Sequence, residues 1–557
     1  MDYLLKKYCP QIKFDSYEDF FENFKIEVPE DFNFAYDVVD EWAKVEPSKK
    51  ALVWCDDHGN EKTFTFADIS RLSNKAANAF VKAGIKKGDV VMAILRRRWE
   101  YWVCAMALCK IGAIITPSTL QLTSKDIKYR IESAGIKMII SIEDEYVCTQ
   151  VEEAMSLSSC VENRIVVAGE REGWLSFDEL IAQESEQWSR PSADAASKSS
   201  DIMLIYFTSG TTGFAKAAMH NFAHPLGHII TARYWQQVQE NQLHMSVTDS
   251  GWAKFGWGKI YGQWICGATV FAYDMDSFIP TKLLEKIQNY KLTTFCAPPT
   301  MYRFMLQEDV ASYDLSSVVN FATAGEPLNA EVTLAWERLT GKKIREGFGQ
   351  SEGPVLLATF PWLEPQPGSM GKPSPLLNIK LLDEDGVEVE DGEEGAICIT
   401  GLKQAYPPGL FVGYYNDEKR TQDSVGGDYY NLHDMAWRDS NGYCYFVGRD
   451  DDVIKCSGYR IGPFEVESAL VEHDAVIECA VTAAPDPIRG KVVKATIVLA
   501  KGWEPSEALV KELQDHVKHT TAPYKYPRIV EFVEELPKTV SGKIKRKFIR
   551  NTDGIAD

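Results

Sequence analysis

No two cysteines in this chain form a CxxC pair, and the 12 cysteines fall at spacings that suit neither a metal site nor a disulfide framework. Several, among them Cys104, Cys266 and Cys479, sit inside apolar runs, as small core hydrophobes do in a reducing compartment. Long apolar runs are missing too. The longest, Trp102 to Pro117, is interrupted by Lys110 and is too short to span a bilayer, so no membrane span is expected. The N-terminal stretch MDYLLKKYCPQIKFDSYEDF lacks an apolar core of roughly 7–15 residues and carries acids early. That excludes a signal peptide, argues against a transit peptide and makes a cytoplasmic location the expectation. Positive charge is scarce: 60 lysines and arginines face 80 aspartates and glutamates, a net −20 that opposes nonspecific binding to nucleic acid or to an anionic membrane. An anionic substrate must then be drawn in by local basic groups. There is no internal repeat, no low-complexity tract and no Gly-x-x-x-x-Gly-Lys-Ser/Thr spacing, so the Walker type of nucleotide loop is excluded.

What is present is ample core. The 557 residues are 45% hydrophobic and 25% charged, the balance of a globular protein. At ~150 residues per unit this length allows about three or four domain-sized units. Residues 1–45 are acidic, aromatic and in part helical by pattern. From Ala67 to Ala83, the positions Ile69, Leu72, Ala76 and Phe80 fall on one helical face, with Gly84 placed to end the helix. Asp89–Leu95 then reads as a buried strand, Trp99–Ile111 as a helix and Ala113–Pro117 as a second strand, and Lys137–Ser141 and Arg164–Ala168 repeat the alternation. Strands alternating with helices predict a parallel sheet covered on both faces. Residues 184–200 have linker composition and deliver the apolar strand Ile202–Phe207. Beyond it, Ala268–Ala272 and Thr293–Cys296 are further strands, and from about residue 368 short alternating runs suggest a β subdomain. After the charged interruption Gly448–Asp452 come a helix opened by Pro463, strands near 475–480 and 493–499, and a helix across Ser506–Lys518. About a hundred residues of this kind can form a separate small α+β domain.

The stretch that organises the chain follows the strand ending at Phe207: Thr208, Ser209, Gly210, Thr211, Thr212 and Gly213, then Lys216. Two glycines let the backbone turn tightly against a ligand, the hydroxyls and amides around them can cradle phosphate oxygens, and the lysine adds a point charge. Other segments pair glycine with polar groups in the same way. Ala324-Gly325-Glu326-Pro327 has the turn-forming character of a purine-binding edge. Glu346 to Glu352 places an aromatic ring (Phe348), an amide (Gln350), a hydroxyl (Ser351) and an acid (Glu352) within seven residues. Asp434 follows a run of tyrosines, and Arg449, Arg460 and Lys543 add widely spaced positive charge. Taken singly each is a common surface pattern; their joint occurrence in this order is not.

Together these motifs resemble the adenylate-forming superfamily, which comprises acyl-CoA synthetases, luciferases of the firefly type and the adenylation domains of nonribosomal synthesis. The resemblance runs from about residue 35 to 550: YFTSGTTGFAK, with Ala215 where a proline is usual, then ATAGEP, GFGQSE, Asp434, GRDDDVIKCSGYRIGP and PKTVSGK. Within the family, TPSTLQLTSKDIKYRIESA (116–134) is similar to the medium-chain acyl-CoA synthetase branch. The resemblance implies an α/β fold. A large N-terminal domain of layered α/β subdomains plus a β subdomain (1–450) would hold ATP and the acyl pocket, and a small mobile α+β C-terminal domain (451–557) would carry the adenylation lysine.

It also implies an acid–thiol ligase working in two steps. A carboxylate attacks the α-phosphate of ATP to give acyl-AMP and pyrophosphate, and the thiol of coenzyme A then displaces AMP. On that reading residues 208–213 wrap the β- and γ-phosphates, Glu352 holds Mg²⁺, and Lys543, Arg460, Thr208 and Lys216 are the catalytic residues. Gly325, Glu326 and Pro327 with Glu346, Gly347 and Phe348 form the adenine slot. Gln350 and Ser351 lie near the α-phosphate, Asp434 accepts from the ribose hydroxyls with help from Arg449, Arg460 reaches phosphate, and Lys543 bridges carboxylate and α-phosphate. The small domain would swing about Asp451 between the two half-reactions, bringing the turn at Ser457 and Gly458, with Lys518, towards coenzyme A. The acyl pocket would be walled by Trp235, Trp252, Lys254, Trp257, Cys296 and Gly349. Acetate-specific relatives carry a tryptophan at the position of Gly349; a glycine leaves room for more carbons, and the three tryptophans here could take much of it back. The expected acid is short to medium, branched or aromatic. The alternatives are adenylation of an amino or aryl acid for another acceptor, and a non-catalytic nucleotide sensor. Gly251 to Tyr273 contains no acid to hold a substrate amine, which disfavours amino acids. Expected partners are the carboxylic acid, ATP and coenzyme A, with a homodimer left open.

Overall fold

The computed structural model describes residues 2–158, 160–208, 215–450, 452–456, 459–486, 490–538 and 544–554, with the backbone alone for Lys455, Tyr459, Arg460 and Gly490. Two large sheets and a small one organise the chain. In the first, seven strands run in the order Leu175–Ser176, Asn163–Val167, Ile136–Ile142, Val90–Ile94, Ile114–Pro117, Ile202–Thr208 and Lys216–Asn221. All neighbours are parallel except the last pair, a hairpin in which Thr208 lies opposite Lys216. The second run is a parallel block of Ile344–Phe348, Asn320–Thr323, Thr294–Ala297, Leu243–Ser246, Thr269–Asp274 and Lys50–Asp56. It continues into an antiparallel β subdomain that includes Tyr429–Arg438 and Cys444–Arg449.

The sandwiched helices follow from their sequences. Phe66–Lys82 starts at a reciprocal capping box between Thr65 and Asp68 and buries Ile69, Ala76 and Phe80. Glu100–Ile111 is buried on every face, as an apolar-all-round helix between two sheets must be, and stops at Gly112 in the left-handed region (φ 81°). Lys110, which interrupts the longest apolar run, is buried there with its Nζ on Asp40 (2.8 Å) and Asn74 (2.6 Å). The expected alternation of strands and helices is thus present. The N-terminal segment, which had no assigned role by sequence, packs Phe20 against Tyr234 at 4.5 Å between ring centres and Phe14 against Trp362. It therefore buttresses the segment that ends in Trp235. Residues 184–200 do not hang free either: Arg190 pairs with Asp37 at 2.7 Å.

Beyond residue 460, the strands Val476–Asp486, Gly490–Leu499 and Ile529–Phe532 form a three-stranded sheet covered by the helices Pro463–Val471 and Glu507–Thr520. This unit has its own apolar core around Val466, Leu470, Val481, Ile497 and Leu513. All cysteines are free, and all but Cys160 are buried. Among the described residues, no helix is long and apolar enough to cross a membrane.

Candidate functional site

The site gathers where the β subdomain meets the parallel block, and the segment from Glu346 to Glu352 runs through it like a spine. At its start, Glu346 is buried and its Oε1 accepts from Leu328 N–H at 3.2 Å, which ties the strand to the turn 324–328. Gly325 takes φ 105°, a conformation that favours glycine, so the turn's backbone needs that residue. Glu326 accepts from Thr300 Oγ1 at 2.8 Å, and Lys254 Nζ donates to Ala324 O at 2.7 Å. The turn predicted for adenine is therefore held from three sides.

Burial pushes the Glu346 carboxyl up to about 8, against the Leu328 N–H that favours its charged form. It is neutral at pH 7 in the folded protein and ionised in the unfolded chain. A carboxyl raised in this way costs stability as pH climbs above its unfolded value near 4.5, until pH reaches about 8. Glu346→Gln should therefore stabilise the protein by on the order of 3 kcal/mol at pH 7, at 1.36 kcal/mol per unit, and hardly at all at pH 4. Urea unfolding at the two pH values tests this. A pH-independent change, or a loss, would mean that the carboxylate form is required.

In the middle of the spine, Gln350 Nε2 donates to Asp434 Oδ2 at 2.5 Å and to Leu432 O at 2.8 Å. Asp434 is buried, and Arg449 lies across the strand pair from it, with Nη1 3.7 Å from Oδ1. Ser351 O faces His220 Nε2 at 2.9 Å, and Glu352 ends the spine as a buried acid. Its charge favours the protonated form of Lys216, whose amine burial pushes down, with Arg420 and Arg449 pushing the same way. Lys216 stands opposite Thr208 in the hairpin register. The phosphate-loop residues Ser209 to Gly213 lie outside the described residues.

The residues expected to wall the acyl pocket are closely packed. Trp235 and Trp257 are buried, meet edge to face at 6.3 Å, and press on the two glycines of the spine. A Cβ on Gly347 would sit 2.4 Å from the Trp235 ring, and one on Gly349 2.4 Å from the Trp257 ring. The room that a glycine at 349 would leave, which the three tryptophans were expected to be able to take back, is filled by Trp257. Trp252 caps the helix Ala253–Lys259 that carries Lys254 and Trp257, and Cys296 lies buried on the neighbouring strand Thr294–Ala297. Lys254 would be costly beside an alkyl chain, but its ammonium is spent on Ala324 O.

The C-terminal candidates are less converged. Lys543, Asp451, Ser457 and Gly458 lie outside the described residues, and for Arg460 the backbone alone places it in the strand Tyr459–Ile461. Lys518 pairs with Asp515 at 2.8 Å and stacks over Tyr526 at 4.4 Å. Sequence reasoning missed Arg420, Tyr414 and His220. None belongs to a glycine-rich motif, and only the pairing of residues 412–415 along the strand Lys216–Asn221 brings the first two to Lys216.

The fold and this convergence define a nucleotide-handling enzyme, and comparison supplies the family. Residues 39–415 match the model of the AMP-binding enzyme family and residues 465–543 that of the AMP-binding enzyme C-terminal domain. The chain belongs to this family. It is 42% identical over 552 residues to acyl-coenzyme A synthetase ACSM3, mitochondrial, of Mus musculus, covering 97% of this chain and 94% of that one. It is 42% identical over 537 residues to acyl-coenzyme A synthetase ACSM4, mitochondrial, of Homo sapiens, covering 94% and 91%. Among solved structures, the anthranilate CoA ligase AuaEII in complex with anthranoyl-AMP superposes with a TM-score of 0.86 at 28% identity, covering 95% of this chain and 98% of that one.

The names of these relatives overturn the cytoplasmic expectation, since they are mitochondrial proteins. Reduced, buried cysteines suit any reducing compartment, so they do not separate the cytoplasm from the mitochondrial matrix.

Proposed function

We propose that the chain is an AMP-forming acyl-CoA synthetase. The observation that carries this is the alignment, along nearly its whole length, with acyl-coenzyme A synthetases. In the first step a carboxylate oxygen bonds to the α-phosphorus of ATP while the bond to the bridging oxygen breaks, the electron pair leaving with pyrophosphate. In the second, the sulfur of coenzyme A bonds to the acyl carbon, AMP departs with the carbon–oxygen electron pair, and the thiol proton passes to solvent. Asp434 presents acceptor oxygens to the ribose, and Gln350, whose two Nε2 hydrogens go to Asp434 and Leu432 O, holds that carboxylate in place near the α-phosphate. The 324–328 turn and Glu346 flank the base, and Lys216, Thr208 and residues 209–213 meet the phosphates. Lys543 neutralises the reacting oxygens in the first step.

Among the described residues no group of three metal-ligating side chains exists. A magnesium ion shared between one carboxylate and substrate phosphates requires none, and the buried Glu352 beside Lys216 fits that mode. Glu352 would hold the ion, whose charge would offset that of the phosphates.

The proposed division into 1–450 and 451–557, pivoting at Asp451, has physical support on both sides of that residue. Asp450 pairs with His433 of the β subdomain at 2.8 Å, whereas Asp452 pairs with Arg550 of the C-terminal helix Arg546–Thr552. Neighbours tied to different units leave the residue between them to take up a rotation. The walls made by Trp235 and Trp257 favour a short, branched or aromatic acid of moderate size.

ATP–pyrophosphate exchange over a panel of carboxylic acids, repeated with coenzyme A, tests the proposal. Exchange and thioester are expected with compact acids. Exchange without thioester would point to another acceptor, and no exchange with any acid would point to a nucleotide sensor.

A further inference from the structure

Between the helix Ser124–Ala134 and the hook formed by residues 414–420 lies a cleft of about 560 Å³, lined in part by Tyr129, Glu132, Lys216, Tyr414, Asp417 and Arg420. Its floor is the strand Lys216–Asn221, along which the hook is zipped by Tyr415 N–H to Ala217 O at 2.8 Å and by an antiparallel bridge between Ala218 and Tyr414. Asn416 Nδ2 donates to Ser133 O (3.0 Å) and closes one rim, while Tyr129 O–H donates to Ala215 O (3.0 Å) beside the other. The cleft is therefore a built feature held between two elements far apart in sequence.

Two cations face into it. Lys216 Nζ and the Arg420 guanidinium each stand 5.8 Å from the centre of the Tyr414 ring. Among the described residues Lys216 makes no ion pair and Arg420 has a single carboxylate partner, Asp417, at 2.9 Å. The other acid of the lining, Glu132, is directed to Lys128 at 3.7 Å. Burial pushes the Lys216 amine down, and the charge of Arg420 across the cleft adds to it, with Glu352 acting in the opposite sense. Such a group is relieved by a compact polyanion.

The order of groups along the spine says which polyanion. Gly349 lies against Trp257 at the acyl end, Gln350 against Asp434, and the charge of Glu352 is felt by Lys216, which lines the cleft. Displacement at phosphorus is in line, so nucleophile and leaving group occupy opposite ends of this row. The end opposite the acid is the cleft.

We infer that this cleft receives the departing pyrophosphate, and that Arg420, which lies outside every signature motif, is its second cation beside Lys216. The inference rests on the synthetase reading. It also separates two sources of a phosphate-rich ligand, since the phosphates of coenzyme A could seek the same cations.

The test is the reverse half-reaction, ATP formation from supplied acyl-AMP and magnesium pyrophosphate, with product inhibition by pyrophosphate in the forward direction. Arg420→Gln is expected to raise the KM for pyrophosphate at least tenfold and to weaken its inhibition in parallel, with Arg420→Lys recovering most of the loss. Asp417→Asn removes the carboxylate that competes for Arg420, so it should lower the KM for pyrophosphate. A role for the Arg420 side chain confined to steadying Asp417, the N-cap of the helix Glu418–Val425, predicts the opposite, both variants damaging alike. Thermal midpoints of all three variants keep loss of fold apart from loss of binding. The inference is overturned if Arg420→Gln leaves the pyrophosphate KM within twofold of wild type. It is equally overturned if that variant raises the KM ratio of coenzyme A to 3′-dephospho-coenzyme A instead. Failure of the wild type to exchange pyrophosphate at all would reject the synthetase reading itself.

Discussion

Lys543→Ala is expected to cut acyl-adenylate formation by about three orders of magnitude while conversion of supplied acyl-AMP and coenzyme A to thioester stays within about tenfold, or ~1.4 kcal/mol of barrier. The asymmetry follows from charge. In the first half-reaction a carboxylate approaches a triphosphate, and every oxygen near the α-phosphorus is negative or becoming so; one positioned ammonium there lowers the barrier more than it lowers the ground state. In the second half-reaction a thiol attacks a carbonyl and AMP leaves with a single phosphate, so the demand for that cation is small. The chain on either side of Lys543 is anchored. Lys538 and Ile544 form an antiparallel bridge, and Arg546 grips Glu467 at 2.8 Å. Removing the side chain should therefore act on chemistry and not on the fold of the small unit. Quenched-flow measurement of acyl-AMP, set beside thioester release from synthetic acyl-AMP, gives both rates. Equal losses in the two would assign Lys543 a structural role.

Trp257→Ala is expected to lengthen the accepted acid, with selectivity in kcat/KM moving about fourfold per added methylene at ~0.8 kcal/mol each. The ring of Trp257 lies 2.4 Å from where a Cβ on Gly349 would be, so on the proposed reading the glycine and the tryptophan together set the depth of the acyl pocket. Its removal should also cost about 3–5 kcal/mol of stability as a buried aromatic truncated to a methyl group. Gly349→Trp alone has no space to occupy and should abolish folding or activity. Combined with Trp257→Ala it should regain activity, with a preference shifted towards acetate and propionate. A chain-length profile that stays put in Trp257→Ala would show that this wall lies elsewhere.

Much was determined by the sequence alone. The alternation of strands and helices, the amphipathic, capped helix Phe66–Lys82 and the uniformly apolar helix around Lys110 follow from local pattern and composition, which depend only on near neighbours. The glycine-rich loop, the 324–327 turn and the GFGQSE spine were visible because a backbone that must approach a nucleotide needs glycine and hydroxyls at fixed short spacing. Tertiary structure decided the rest. From sequence, Gly349 offers room that any of three tryptophans could fill; only folding shows that Trp257, 92 positions earlier, is the one that lies against it. Arg420 reads as one more exposed helix charge. It becomes a candidate ligand because the 412–415 segment adds onto the strand of Lys216, a pairing across about two hundred residues that no local pattern encodes. The N-terminal aromatics likewise gain their role from Tyr234 and Trp362, which they meet in space. Short-range patterns fix elements and backbone-dependent motifs; the depth of a pocket and the company of a charge are sums over contacts that only the folded chain brings together.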